Sequence, residues 1–190
     1  MALTYSNEPA LGSLAPDFSL PGILPEMGEQ IYSLNSFRSA RGLLIVFMCN
    51  HCPYVVAVQG RINALAKEFG SKGIQVIGIN PNDPVRYPDD DLEHMKVRAR
   101  EEGYVFPYLQ DPDQTVAKAF GAVCTPDPYL YEKIGNDWLL RYHGQIDDNW
   151  KNEAAVKTRD LALAIEAVLA NRPINPKQTP SLGCSIKWKF

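Results

Sequence analysis

An unbroken apolar run followed by an amphipathic stripe is the clearest pattern in the chain. Residues 43–48 are apolar at every position, which is typical of a strand buried on both faces of a sheet. From Pro53 onward, apolar residues recur at intervals of three and four, which predicts an amphipathic helix. Residues 74–79, in which Gln75 is the one polar side chain, predict a second buried strand. The segment is therefore a predicted β-α-β unit with a right-handed crossover.

The rest of the chain alternates shorter strand and helix patterns. In order, it predicts a loop at 80–88, a polar helix from about 90 to 102, a strand at 104–109, a short helix at 113–120, hairpin strands at 129–131 and 138–146, and a last helix at 159–170. No internal repeat interrupts this order. We therefore predict a single domain over residues 1–190, an α/β sandwich whose central mixed β-sheet lies between flanking helices.

The C-terminal tail, residues 172–190, combines an extended beginning with a patterned end. Three prolines near its beginning restrict its backbone. At its end, Ile186, Trp188 and Phe190 alternate with polar residues, which is the period-two pattern of a strand with one buried face. The tail is therefore predicted to pack on the domain.

Composition narrows the class of protein further. Apolar residues make up 45% and charged residues 22% of the 190 positions, as in ordinary globular proteins. The formal net charge of -3 gives no electrostatic reason for a nucleic-acid partner or an anionic membrane partner. The longest apolar run is too short to span a bilayer, and residues 1–17 lack the features of a signal peptide. A cytoplasmic location is expected.

Two cysteines lie at the predicted junction between the first buried strand and the helix. The sequence Cys49-Asn50-His51-Cys52 is a CxxC motif, and this context favours a thiol–disulfide redox site. Backbone N–H groups and the dipole at the start of a helix stabilise a thiolate. We expect Cys49, at the exposed end, to be the nucleophile and Cys52, one turn further in, to resolve the mixed disulfide. Asn50 and His51 are expected to tune the thiol pKa values, His51 through a protonated imidazole.

Two alternatives for this motif stay open. His51 is either a tuning residue or a solvent-exposed linker without effect on the thiols. The CxxC itself is either redox-active or half of a zinc site, which needs two more Cys or His ligands. Cys124 and Cys184 are single, and the sequence has no second CxxC and no closely spaced histidine pair. We therefore predict neither a metal nor another cofactor.

Four segments resemble the thioredoxin superfamily, and within it the redoxin group, also called the AhpC/TSA or peroxiredoxin-like group. Residues 12–21 are similar to its N-terminal G-x-x-A-P-x-F-x-L signature, and residues 47–53 are similar to its active-site segment. Thr125 and Pro126 stand at the place of the family's cis-proline, and residues 183–188 resemble the ending of an uncharacterised subfamily. The resemblance implies a thioredoxin-like three-layer sandwich, with Thr125 docking substrate beside a cis Pro126; the alternative is an ordinary trans proline.

The chain departs from these families in two respects. Thioredoxins resemble one another in a buried carboxylate on the strand before the CxxC, yet residues 43–48 contain no acidic side chain. Peroxiredoxins are similar to one another in a T-x-x-C motif and a downstream arginine. Here Cys49 takes the threonine position, and no arginine lies between Phe120 and Tyr131. Disulfide exchange is therefore favoured over a peroxidase reaction at Cys52.

Three functions remain to be distinguished. The favoured one is an enzyme that exchanges disulfides with a protein or a small thiol substrate and is restored by an external dithiol reductant, without a bound cofactor. The second is a thiol peroxidase that passes through a sulfenic acid. The third is a copper carrier resembling the copper-delivery proteins of this fold, for which His143 is the candidate distant ligand, although it fits the outer face of a hairpin strand equally well.

The other two cysteines have open assignments. Cys184 could approach Cys124, beside the predicted cis-proline, and act as a reserve or resolving thiol. The alternative is that Cys184 is a small apolar residue of the core. Of the four thiols, we expect Cys49 to be the most reactive.

Overall fold

A seven-stranded mixed β-sheet forms the centre of the computed structural model, which describes residues 3–189. In chain order, the strands of this part are β1 (Leu3–Tyr5), β2 (Ser19–Leu24), β3 (Gly28–Ser33), β4 (Gly42–Phe47), β5 (Ile74–Asn80), β6 (Tyr108–Gln110), β7 (Cys124–Thr125), β8 (Asp127–Ile134), β9 (Asp137–His143) and β10 (Leu182–Ser185). The central sheet has the order β3-β2-β6-β5-β4-β8-β9. A smaller sheet has the order β1-β10-β7.

Helices cover both faces of the central sheet. They are α1 (Pro53–Phe69), α2 (Leu92–Glu101), α3 (Thr115–Phe120) and α4 (Asp160–Leu169). Side chains of α1, α2 and α4 join one buried cluster, and those of α3 join a second. The strand β4 supplies both clusters, Leu44 and Val46 to the first and Leu43 and Ile45 to the second, because successive side chains of a strand point to opposite faces. The predicted three-layer sandwich with a central mixed sheet is confirmed.

The β-α-β unit is also confirmed. All six residues of β4 are buried, and β4 runs parallel to β5 and antiparallel to β8. Pro53 is the first residue of α1, where a missing N–H leaves no helical hydrogen bond unmade. Gly73 adopts a φ of 99° between α1 and β5, a conformation that glycine enters without steric penalty. Within residues 3–189, no helix has both the length and the apolar character needed to cross a bilayer.

Two predicted strands have different limits in the structure. The strand predicted at 104–109 is confined to β6, because Tyr104 and Phe106 stack on each other beneath α1 and Pro107 has no N–H for a ladder. The hairpin strand predicted at 138–146 ends at His143. The turn of the hairpin is formed by residues 135–136, and Gly135 takes the positive φ of 62° that this tight connection uses.

The C-terminal tail packs on the domain, as predicted, but its strand lies earlier than the alternating pattern indicated. The strand is β10, which pairs antiparallel with β1 on one edge and with β7 on the other. Beyond it, Ile186 is buried and Trp188 packs against the core. The backbone of Lys187 bonds to the loop that follows β5 rather than to a strand. The prediction for Phe190 lies outside the described residues.

Candidate active site

The strand β4 delivers the CxxC motif to the start of α1. Cys52 is the N-cap of that helix, with extended backbone, and its carbonyl oxygen accepts the N–H of Val56 at 2.9 Å. No capping hydrogen bond to Cys52 Sγ forms, but the backbone of Val55 lowers the pKa of that thiol. The first N–H groups of a helix have no helical partner and favour negative charge nearby. The helix start therefore acts on Cys52 rather than on Cys49.

Both sulfurs of the motif are enclosed. Cys49 is 2% exposed and Cys52 is fully buried, so the expectation of an exposed Cys49 is wrong. The side chain of Thr125 covers Cys49, with Oγ1 at 3.4 Å from Cys49 Sγ. On Cys52 the cover is the carbonyl oxygen of Thr125, 3.2 Å from Sγ, together with the sulfur of Cys184. A reagent can reach the pair only when this cover moves.

Cys52 has the lowered thiol pKa of the pair. A hydrogen bond from Cys49 lowers the pKa of Cys52 to about 5, with further bonds from Cys184 and the Val55 N–H outweighing burial. The same bond to Cys52 raises the pKa of Cys49, and burial and the carboxylate of Asp90 raise it further. The shared hydrogen bond favours one negative charge on the pair, with the lower pKa at Cys52. The thiolate expected on Cys49 stays a prediction.

A buried aspartate that the sequence analysis missed lies under the motif. Asp90, in the loop between β5 and α2, is fully buried and accepts from His51 Nδ1 at 2.7 Å. Asp90 also accepts the Asn50 N–H at 2.8 Å and the side-chain amides of Asn80 and Asn82 at 3.1 and 2.8 Å. The available signal was topological: β4 and β5 are parallel, so their carboxyl ends meet at one edge and the loop after β5 reaches the CxxC.

The contacts of Asp90 set its charge and that of His51. Burial alone would raise the pKa of Asp90, but the bonds from His51 and Asn82 outweigh it, so the pKa is lowered. The same bond to Asp90 raises the pKa of His51. His51 also stacks on Tyr87, and its side chain is 23% exposed. The alternative of an unattached, solvent-exposed linker is therefore wrong for His51.

Asn50 connects the motif to the neighbouring segments. Its side-chain amide donates to the carbonyl oxygen of Asp89 at 2.6 Å, and its amide oxygen accepts the Tyr108 hydroxyl at 3.1 Å. Its own carbonyl oxygen accepts Arg98 at 2.8 Å. Asn50 therefore holds the loop that carries Asp90 against the CxxC. It acts on the thiols by positioning Asp90.

The peptide bond between Thr125 and Pro126 is cis, as predicted, and Thr125 touches both sulfurs of the CxxC. The backbone of Thr125 was expected to receive a substrate strand. It pairs instead with the chain's own β10, in the register Cys184 to Thr125. The close approach depends on Gly183, where a Cβ would lie 2.0 Å from the Thr125 carbonyl oxygen. The tail therefore occupies the edge that was expected to dock substrate.

Cys184 meets Cys52 rather than Cys124. The two sulfurs, Cys184 Sγ and Cys52 Sγ, lie 2.9 Å apart, and both residues are buried. The expectation that Cys184 approaches Cys124 is wrong in detail: Ser185 is the register partner of Cys124, whose sulfur contacts the Pro126 carbonyl oxygen at 4.0 Å. All four cysteines are free thiols. Burial raises the pKa of Cys184 to about 12 and raises that of Cys124 as well.

A second buried carboxylate follows the cis-proline. Asp127 is fully buried, accepts the Tyr129 hydroxyl and lies 2.7 Å from Nε2 of His143. Burial raises its pKa, against the bond to His143. His143 is itself buried and stacks on Tyr129, so its placement on an outer hairpin face is wrong. With its Nε2 bound to Asp127, His143 is not positioned as a ligand beside the cysteines.

The ligand atoms of Cys49, His51 and Asp90 lie within 4.8 Å of one another, close enough to hold a metal ion jointly. The oxygens of Asp90, however, already accept four hydrogen bonds from His51 and three asparagines. These four hydrogen bonds hold the carboxylate in place, and the carboxylate in turn orients the imidazole of His51 beside Cys49. It leaves Asp90 little capacity for a metal.

A mixed sheet in three layers, with a CxxC at the start of a helix and a cis-proline opposite it, defines a protein of the thioredoxin fold. Residues 11–147 match the AhpC/TSA family, and the chain belongs to this family. More distant solved structures of peroxidoxin and thioredoxin-like proteins share the fold.

Three relatives place the chain within this group. The crystal structure of an uncharacterized conserved protein from Geobacillus kaustophilus matches this chain with a TM-score of 0.91 and 42% sequence identity. The match covers 100% of this chain and 97% of that protein's chain. Peroxiredoxin Bcp of Xanthomonas campestris is 26% identical in the matched region. That region covers 54% of this chain and 61% of the length of the relative. Thiol-disulfide oxidoreductase ResA of Geobacillus thermodenitrificans is 24% identical over 70% of this chain and 69% of its own length.

Proposed function

We propose that the chain is a thiol–disulfide oxidoreductase in which Cys49 is the nucleophile and Cys52 the resolving cysteine. The observation that carries the proposal is the placement of the CxxC at the start of α1, with the cis-proline segment against both of its sulfurs. The hydrogen bond between the two cysteines lowers the pKa of Cys52 to about 5 and raises that of Cys49. A dithiol with one stable thiolate at neutral pH is suited to disulfide exchange. The similarity to ResA supports the same chemistry.

The reaction follows from the shared proton. As Cys49 attacks a substrate disulfide, its proton moves to Cys52, a mixed disulfide forms at Cys49, and one substrate sulfur leaves as a thiolate that takes up a proton. Cys52 then loses its proton and attacks Cys49 Sγ, which releases the second substrate sulfur as a thiol. The two cysteines are oxidised to a disulfide and the substrate disulfide is reduced. An external dithiol reductant restores the pair.

The pair of His51 and Asp90 supports the first step. Asp90 raises the pKa of His51, so the imidazole keeps its proton at a higher pH than a free histidine. A ring nitrogen of His51 lies within 4.8 Å of Cys49 Sγ. A protonated imidazole at this distance favours negative charge on the attacking sulfur. Asp90 acts through His51 and is a positioning residue.

A surface groove lies beside His51, next to the buried thiols. Its volume is about 560 Å³, and Tyr87, Ser185 and Lys187 line it together with His51. Ser185 belongs to β10, whose movement would uncover the pair. The groove favours a disulfide on a small thiol compound or on an exposed protein segment as substrate.

The test is the reduction of insulin disulfides by dithiothreitol, with the purified protein as catalyst. We expect Cys49→Ser to lose catalysis to the uncatalysed rate. Cys52→Ser should accumulate a mixed disulfide with substrate at Cys49, because no thiol at position 52 resolves it. Cys124→Ser is the matched control, a buried thiol outside the pair, and should keep the parent rate. A Cys49→Ser protein as active as the parent would contradict the assignment.

A thiol peroxidase is the second candidate, favoured by the low pKa of Cys52 and by the thiol of Cys184 at 2.9 Å. The Cys52 thiolate would take one oxygen from a peroxide, leaving a sulfenic acid and an alcohol or water, and a second thiol would displace water to form a disulfide. The similarity to peroxiredoxin Bcp supports this reaction. Rapid consumption of hydrogen peroxide by Cys49→Ser protein would select it over disulfide exchange.

A further inference from the structure

The tail strand occupies the position of a substrate strand. An extended substrate of a thioredoxin-like protein adds to the backbone beside the CxxC, where main-chain hydrogen bonds give affinity. Here β10 forms this pairing with β7, and Cys184 is in register with Thr125. Gly183 brings the two backbones so close that a Cβ would meet both the carbonyl oxygen and the carbonyl carbon of Thr125.

The strand also presents a sulfur to the site. Cys184 Sγ is 2.9 Å from Cys52 Sγ, so a bond between them requires only small side-chain movements. An S–S bond is about 2.05 Å long, so the two sulfurs need to approach each other by less than about 1 Å. Both residues are buried, which excludes most competing thiols from the same sulfur.

We propose that Cys184 is a third redox cysteine, carried on β10 as an internal substrate strand, that takes over the disulfide from Cys49. This inference rests on the proposed function, because it begins from the Cys49–Cys52 disulfide. Cys184 loses its proton and attacks Cys52 Sγ. The bond between Cys49 and Cys52 breaks, the bond between Cys52 and Cys184 forms, and Cys49 leaves as a thiolate that takes up a proton. The step is an isomerisation, so it requires no further oxidant.

The charges around Cys184 change in the direction that this step needs. In the reduced chain, burial raises the pKa of Cys184 first, and the hydrogen bond and the negative charge of Cys52 raise it further. Oxidation of Cys52 removes the last two causes, while Lys187 continues to lower the pKa. Cys184 therefore becomes more acidic once the Cys49–Cys52 disulfide has formed.

The exchange returns Cys49 to the thiol state while Cys52 stays oxidised. After the transfer, the disulfide lies between α1 and β10. The bond ties β10 to the site, so the tail cannot move aside until a reductant breaks it. The oxidised chain therefore holds Cys49 as a thiol behind a closed docking edge.

The experiment maps the disulfide of the oxidised chain. The reduced full-length protein is treated with one equivalent of 5,5′-dithiobis(2-nitrobenzoate), its remaining thiols are blocked with N-ethylmaleimide in denaturant at mildly acidic pH, and it is cleaved with trypsin without reduction. Cleavage sites in the sequence place Cys49 and Cys52 on residues 42–61 and Cys184 on residues 178–187. We expect the two peptides to be linked through Cys52, with N-ethylmaleimide on Cys49. A bond only between Cys49 and Cys52, with Cys184 blocked, would overturn the inference.

Two variants separate this inference from the function on which it rests. Cys184→Ala should still form the Cys49–Cys52 disulfide, because that step does not use the tail thiol. If Cys184→Ala forms no disulfide although circular dichroism shows a native fold, the proposed function fails; if it forms one and the parent never links Cys184, only the inference fails. Cys124→Ala is the matched control and should give the same Cys52–Cys184 link as the parent.

Discussion

The imidazole of His51 is held by the carboxylate of Asp90, with Nδ1 and Oδ2 at 2.7 Å and the carboxylate fully buried. This pair connects the CxxC to the loop after β5. It places beside Cys49 an imidazole whose pKa is raised by the carboxylate of Asp90.

Replacement of Asp90 by Asn should lower the pKa of His51, because it removes the charge and the acceptor that raise it. The raised pKa of His51 adds stability that is complete below the unfolded pKa of about 6.5 and is lost as pH rises through the folded value. The lowered pKa of Asp90 adds stability that is lost as pH falls below about 4. Asp90→Asn should therefore destabilise most between these limits, by about 1–3 kcal/mol.

Histidine chemical shifts followed by NMR and urea unfolding at pH 5.5 and pH 9 test this prediction. Asp91→Asn is the matched control, since the neighbouring Asp91 forms an exposed pair with His94. Its effect on the free energy of unfolding should be smaller. A His51 titration that is the same in Asp90→Asn protein and in the parent would contradict the role given to Asp90.

The thiolate of the reduced protein should titrate at low pH. Ultraviolet absorbance of the thiolate should report about one thiolate per chain, with a midpoint near the pKa of Cys52, about 5. Cys184→Ala removes a hydrogen bond that lowers this pKa, so the midpoint should move to higher pH. Cys124→Ala should leave it in place. An unchanged midpoint in Cys184→Ala would mean that Cys184 does not donate to Cys52.

Addition of a side chain at position 183 should push β10 away from the site. The Cβ of Gly183→Ala would lie 2.0 Å from the backbone oxygen of Thr125, and backbone cannot rotate aside. We expect a loss of about 1–3 kcal/mol in the free energy of unfolding, together with faster alkylation of Cys52. Gly60→Ala is the control, because a Cβ there would meet nothing within 4 Å inside α1; it should be neutral or slightly stabilising. Equal stabilities of the two variants would contradict the tight contact.

Removal of residues 183–190 should lower the melting temperature, because β10 pairs with two strands and Ile186 is buried in the core. Differential scanning fluorimetry measures the shift. The shortened chain should also react faster with iodoacetamide at Cys52, because it lacks the Cys184 side chain that covers this sulfur. A chain with the parent melting temperature and the parent thiol reactivity would show that the tail has neither role.

The sequence predicted those parts of the fold whose pattern is local. The run ending in Cys49 and the stripe after Pro53 are contiguous, so periodicity alone placed the motif between β4 and α1. The position of β10 is different, because it depends on two strands distant in sequence, β1 and β7, and on the space left by Gly183. The alternation of Ile186, Trp188 and Phe190 with polar residues, directly after β10, was the stronger local signal.

The CxxC and the cis-proline segment of the candidate site were predictable, but Asp90 was not. Asp90 lies in a run of three aspartates, and nothing local distinguishes the buried one from Asp89 and Asp91. Its role follows from the register of the two parallel strands. The limits of the helix also matter: it begins at Pro53, so the N-cap position falls on Cys52 rather than on Cys49.

The small sheet makes the opening of the site a cooperative event. Ser181 donates its N–H to Ser6 Oγ and its hydroxyl to the carbonyl oxygen of Pro126, while the N–H of Ser6 donates to the Ser181 carbonyl oxygen. With these bonds and the ladder between β1 and β10, the tail cannot fray one residue at a time. Backbone amides in residues 3–6 and 182–186 should exchange with deuterated water as one unit, at a rate set by the detachment of a two-stranded ribbon. That rate would be an upper limit on turnover.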